Sequence, residues 1–177
     1  MWNLGQGGYE NSMSKMPRQK RGDSRQDYET PNELLDAVRD RLSITQFSAD
    51  LAASEDNAKA NLYFTEEQDS LKQSWHSVSL SSFDKWCWLN PPFANIEPWV
   101  KKAAEESFLG AHIATLVPAS VGANWWREWV EAYAYVSFLN GRVTFDGCTT
   151  PYPKDCAILL YTPWGFTGSE CWNWRSK

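Results

Sequence analysis

The chain predicts an α/β fold on a mostly parallel sheet, and two apolar runs separated by a helix carry that expectation. Trp86-Cys87-Trp88-Leu89 is short, uncharged and rich in aromatic residues, as a buried strand should be, and it ends at Asn90-Pro91-Pro92-Phe93. Neither proline can donate an N–H to a ladder, so the strand stops there and the following loop is stiff. A helix then begins around Asn95-Ile96-Glu97-Pro98, with Trp99, Val100, Ala103, Ala104 and Phe108 on its inward face and Gly110 closing it. Residues 112–117 form a second buried strand, ended by Pro118. Strand, helix, strand is the unit of a parallel sheet. It sets the Asn90 loop beyond the carboxyl edge, where open α/β sheets hold their ligands. His112 opens its strand at the opposite edge and is expected to be structural.

The remaining elements fit around that unit. Thr30-Pro31-Asn32-Glu33 carries the signals of a helix start, with Thr30 as N-cap, Pro31 at the first helical position and Glu33 completing a capping box; Leu34, Leu35, Val38 and Leu42 then share one face. Residues 47–53 predict a strand ending in Asp50-Leu51-Ala52-Ala53. Its small residues would let backbone approach a ligand, although no GxG follows, and Asp50 taken alone suits a turn or a cap. The acidic run Glu66-Glu67-Gln68-Asp69 reads as a solvated loop. Trp125, Trp126, Trp129, Val130 and Tyr133 recur at helical spacing and are expected to be mostly core. Residues 135–139, 142–145 and 156–161 predict further strands, with Asn140-Gly141 as a hairpin turn between the first two. The tail from Pro163 carries Trp164, Trp172 and Trp174 without a period and is not placed.

Composition sets the outer bounds. With 177 residues, of which 42% are hydrophobic and 15% aromatic, the chain can build one compact core. Its eleven tryptophans supply large apolar area, either to that core or as exposed platforms. A net charge of −5 argues against coating a polyanion with the whole surface. Basic character is local: between Met13 and Gln26, Lys15, Arg18, Lys20, Arg21 and Arg25 stand against Asp23 alone, within a polar segment, 1–27, expected to be flexible. Cys87, Cys148, Cys156 and Cys171 form no CxxC pair, and with only His76 and His112 beside them the expectation is reduced thiols and no metal. No stretch has the length of a membrane span, nor does the N-terminus carry a secretion-type apolar core, so a soluble cytoplasmic protein without membrane contact is expected. The oligomeric state is left open.

Asn90-Pro91-Pro92-Phe93 after an apolar strand resembles the catalytic motif of S-adenosylmethionine-dependent DNA methyltransferases that modify an exocyclic amine. Taken in order with Asp27-Tyr28-Glu29-Thr30-Pro31, Asp50-Leu51-Ala52-Ala53, Asn57-Ala58-Lys59, Tyr63-Phe64-Thr65 and Asp69-Ser70-Leu71, it makes residues 28–161 closely similar to the small phage-type, Dam-like DNA N6-adenine methyltransferases. The resemblance implies a Rossmann-like methyltransferase fold with a mostly parallel central sheet, flanking helices and a late antiparallel hairpin. It further implies a flexible arm over 1–27, a catalytic domain over 28–162 and a Trp-rich tail over 163–177. The methyl donor would be S-adenosylmethionine, held by Tyr28, Thr30, Pro31, Asp50, Ala52 and Asp69, with Asn90, Pro91, Pro92 and Phe93 catalytic.

The substrate implied is double-stranded DNA, in the host cytoplasm if the gene is a phage's, with Lys15, Arg18, Lys20, Arg21 and Arg25 as phosphate contacts and the loop 146–155 framing the base. A base-modifying enzyme must first rotate its target out of the stack. The Asn90 oxygen and the Pro91 carbonyl would then accept the two amine hydrogens while Phe93 stacks on the ring. Three alternatives accompany this expectation: methylation of the cytosine amine, a catalytically silent DNA-binding or protecting protein on the same fold, and a methyltransferase acting on RNA or protein.

Overall fold

A computed structural model describes residues 28–175. The basic segment with Lys15, Arg18, Lys20, Arg21 and Arg25 lies outside the described residues. Helices α1 (Asn32–Leu42), α2 (Trp75–Leu80), α3 (Glu97–Phe108) and α4 (Asn124–Trp129) surround a sheet of β1 (Ala49–Asp50), β2 (Trp86–Leu89), β3 (His112–Pro118), β4 (Ala134–Leu139), β5 (Cys156–Tyr161) and β6 (Gly168–Trp172). The strand order is β1-β2-β3-β5-β4-β6. Only β5 runs against its neighbours: it is antiparallel to both β3 and β4, whereas β1–β2, β2–β3 and β4–β6 pair in parallel. The sheet is mostly parallel, as predicted, and the late antiparallel pair is β4 with β5; Asn140-Gly141 does not turn a tight hairpin, because residues 140–155 separate the two strands.

Strand alternation explains the layering, because successive side chains enter opposite faces. Cys87, Leu89, Ile113, Val117, Ala157 and Leu159 pack against α2, α3 and α4. Trp88, Ala114, Leu116 and Ile158 face the other way, toward α1, Phe145 and Trp174. On α3, Val100, Ala103 and Ala104 are buried as expected, and small residues there let the helix lie close on the sheet. Phe108 departs from the expectation. It is the last residue of α3, 64% exposed, and meets the Tyr133 ring edge-on. Gly110, at φ +115°, ends the helix, with Ala111 N–H returning to the Glu106 carbonyl.

Four further differences have physical causes. Pro31, not Thr30, occupies the N-cap of α1: its carbonyl accepts the N–H groups of Leu34 and Leu35, and no side chain caps the helix. The strand expected over 47–53 shrinks to Ala49–Asp50, since the chain bends at Leu51 to meet residues 62–64. Residues 142–145 form no strand; Val143 and Phe145 are drawn into the α1-side core, and the antiparallel partner of β4 is β5. The tail supplies edge strand β6 and buries Trp174, tied further by the Arg41–Glu170 ion pair.

Candidate active site

The carboxyl edge of β1 and β2 opens into a cavity of about 870 Å³, within the usual range of roughly 300–1,000 Å³ for small-molecule sites. Parallel pairing of β1, β2 and β3 creates it, because the loops after Asp50 and Leu89 leave the sheet on the same side. Tyr28, Thr30, Asp50, Ala52, Asp69 and Asn90 all line it, together with Pro92. Residues separated by more than sixty positions in sequence thus share one wall.

Asn90 has its orientation fixed. Its Nδ2 donates to the Tyr28 carbonyl at 2.6 Å. A carbonyl can only accept, so the amide nitrogen must face Tyr28 and the amide oxygen must face away. That oxygen, Oδ1, is buried and has no partner among the described residues. The stiff turn behind it keeps the backbone in place, with Pro91 buried and the Pro92 carbonyl accepting Asn95 N–H at 3.3 Å.

Thr30 shows the same signature. It is 1% exposed and lines the cavity, and its buried hydroxyl has no partner among the described residues. A buried hydroxyl left unsatisfied costs about 1–3 kcal/mol, so two such atoms on one cavity mark it as shaped for a hydrogen-bonding ligand. Displacement from the N-cap position frees Thr30 for this. Pro31 does not line the cavity.

Asp50 organises the loop that lacks a glycine fingerprint. Its Oδ1 accepts Ala52 N–H at 3.2 Å and its Oδ2 accepts Lys59 N–H at 2.9 Å. The backbone of Asp50 meanwhile pairs with residues 62 and 64, and Ala53 N–H bonds to the Phe64 carbonyl. Burial pushes the Asp50 carboxyl up to about 6, against the opposing pull of the Lys59 and Ala52 N–H groups. Asp69 sits at the rim in the left-handed region, at φ 50°, and pairs with Lys72 at 2.7 Å. Glu55, Glu66 and Glu67 join it there, whereas Lys59 is the one cationic side chain on the wall among the described residues. The site therefore favours a cationic ligand.

Phe93 does not line the cavity. It belongs to an aromatic cluster with Tyr28, Phe145 and Tyr152, its ring centroid 5.9, 5.9 and 5.5 Å from theirs. Tyr152 comes from the loop 146–155, and only the tertiary fold brings it here. Glu29 and Lys59 were also given no role by sequence reasoning; thirty residues apart and in no regular element, their 2.7 Å ion pair leaves no local signal. His112 lies at the far end of β3, between the rings of Trp86 and Trp164.

A family model described as DNA N-6-adenine-methyltransferase (Dam) matches residues 17–158. The chain belongs to this family. Two relatives agree: a DNA N-6-adenine-methyltransferase of Escherichia phage T1 is 29% identical over 119 residues, covering 67% of this chain and 47% of that protein. Another, from Haemophilus phage HP1 (strain HP1c1), is 28% identical over 102 residues, covering 56% and 55% respectively. The chain thus spans about half the length of the curated relatives it matches. The family match includes Arg18, Lys20, Arg21 and Arg25 and ends inside β5, so β6 and Trp174 lie beyond it.

Proposed function

We propose that the chain transfers a methyl group from S-adenosylmethionine to the exocyclic amine of adenine in double-stranded DNA, in the host cytoplasm. The observation that carries this is Asn90, an amide whose nitrogen is committed to Tyr28 and whose buried oxygen awaits a donor at the cavity wall.

The residues present fit the methyl donor. Thr30 offers a hydroxyl unpaired among the described residues, Asp50 and Asp69 offer carboxylates, and Ala52 leaves room beside the backbone, with Tyr28 at the border; Pro31, which does not line the cavity, caps α1 behind Thr30. When bound, S-adenosylmethionine supplies a methyl group activated by a positively charged sulfur. The acidic rim suits that charge.

The adenine amine is a weak nucleophile because its lone pair is delocalised into the ring. Asn90 Oδ1 and the Pro91 carbonyl each accept one amine hydrogen, which favours a tetrahedral nitrogen with an available lone pair; with the donor bound, the N–C bond would form as the donor's C–S bond breaks, the neutral thioether S-adenosylhomocysteine would leave, and the surplus amine proton would pass to solvent. These acceptors strengthen their bonds as positive charge develops on nitrogen, so they act mainly in the transition state. Phe93, braced by its aromatic neighbours, stacks on the flipped base, a contact worth roughly 1–3 kcal/mol. The catalytic unit is 28–162. The arm with Lys15, Arg18, Lys20, Arg21 and Arg25 holds DNA phosphates, and the C-terminal Trp-rich segment stabilises the sheet.

Incubation with labelled S-adenosylmethionine and unmethylated duplex DNA, followed by nucleoside analysis, tests the proposal. N6-methyladenine is the expected product. Methylated cytosine would reassign the target base, and no label in DNA despite donor binding would overturn the enzymatic function.

A further inference from the structure

The ion pair between Glu29 and Lys59 closes a chain of contacts from one side of the cavity to the other. Asp50 Oδ2 accepts Lys59 N–H at 2.9 Å; Lys59 Nζ donates to Glu29 Oε1 at 2.7 Å; the neighbouring Tyr28 carbonyl accepts Asn90 Nδ2 at 2.6 Å. Glu29 is also pinned through its backbone, whose carbonyl accepts Asp146 N–H at 3.0 Å. The Tyr28-Glu29-Thr30 segment is thus a strap across the open edge of the sheet, held by one isolated bridge, one aromatic cluster and one ion pair.

We propose that Glu29 and Lys59 form a clasp that positions Asn90. With the clasp shut, the Tyr28 carbonyl is held where it consumes the Asn90 amide nitrogen, leaving Oδ1 turned to the target amine. With it open, the ties that remain among the described residues are the Asp146 bridge and the ring contacts, and the Asn90 amide can rotate about its terminal torsion, which has only a broad, shallow preference. The same pair tethers the Asp50 loop, so the donor-binding wall and the amine-binding group are set together. Burial favours this role: the Lys59 side chain is 12% exposed and that of Glu29 40%, less screened than a pair on the open surface. Glu29 and Lys59 are positioning residues and touch no reacting atom. The proposal rests on the function above, but its first readout does not.

The test is a charge-swap cycle on the full chain: Glu29→Lys, Lys59→Glu and the double variant. The Asn90 side-chain amide is followed by NMR hydrogen exchange in the ligand-free protein, and methyl transfer is measured at saturating DNA and donor. Each single variant is expected to lose about three- to tenfold in Asn90 amide protection, with a matching fall in kcat and a smaller change in DNA KM. The double variant is expected to recover most of both. Glu29→Gln, which keeps shape and removes charge, provides the same comparison if a reversal unfolds the chain. Unchanged Asn90 protection in the folded single or Gln variants, or no recovery in the swap, overturns the clasp. A protection loss and recovery in a protein that methylates no DNA would keep the clasp and refute the proposed function instead.

Discussion

Replacing Asn90 by alanine separates its structural from its chemical role. The structural loss is one hydrogen bond, Nδ2 to the Tyr28 carbonyl at 2.6 Å, and an acceptor left in a half-buried place. That costs about 1–2 kcal/mol. For a domain of this size it lowers Tm by about 2–8 °C, so the variant should still unfold cooperatively. The chemical loss is larger. Oδ1 has no partner among the described residues, so under the proposed mechanism its removal forfeits a bond made only with the substrate and strongest in the transition state. Deleting one such oriented group typically costs about 10²–10³ in rate, or about 2.7–4 kcal/mol. Donor affinity should stay within about threefold, because Thr30, Asp50 and Asp69 remain in place. Calorimetry with S-adenosylmethionine, a thermal melt and single-turnover methylation of duplex DNA report the three quantities separately. A variant that melts and binds donor as expected, yet methylates within fivefold or so of the parent rate, would refute the role assigned to Asn90.

Other perturbations test the rest of the site. Thr30→Val is isosteric and removes an unpaired buried hydroxyl, so stability should hold or rise slightly while donor affinity falls about 5- to 20-fold, as read by melting and calorimetry. Asp50 carries a pKa raised from 3.8 to about 6, so the folded chain keeps a proton that the unfolded chain releases. Its contribution to stability is therefore complete below about pH 3.8 and is lost as pH rises through about 6, by about 3 kcal/mol in all; urea unfolding between those pH values should show the slope, and Asp50→Asn should flatten it. S-adenosylmethionine affinity should rise with pH across the same window, because the ionised carboxylate attracts the cation. Removing residues 1–26 should leave donor binding intact and reduce the slope of log DNA affinity against log salt by up to about 4.5, the sum for five phosphate contacts; an unchanged slope would show that the arm does not contact DNA.

What the sequence determined by itself was whatever is encoded locally. The β2-α3-β3 unit was legible because apolar runs, prolines and a helical period lie within one short stretch, and that unit alone fixes which edge of the sheet carries Asn90. The order of motif segments was equally legible, and seven of the residues it points to, Tyr28, Thr30, Asp50, Ala52, Asp69, Asn90 and Pro92, line one cavity. Contacts between distant segments were not encoded that way. The apparent capping box at Thr30 gave way because Pro31 took the cap, and burial left the hydroxyl without a partner among the described residues. Residues 142–145 have strand-like composition, but both sides of β4 are filled by β5 and β6, so Val143 and Phe145 pack into the α1-side core instead. The tail shows no period because β6 is a short, exposed edge strand whose pairing with β4 is set by backbone hydrogen bonds, which side-chain patterns do not specify. The Glu29–Lys59 pair, the direction of the Asn90 amide and the raised Asp50 pKa all depend on which groups burial brings within 3 Å or so of one another. Tertiary structure decided these, since a hydrogen bond between residues sixty positions apart leaves no mark on the neighbours of either.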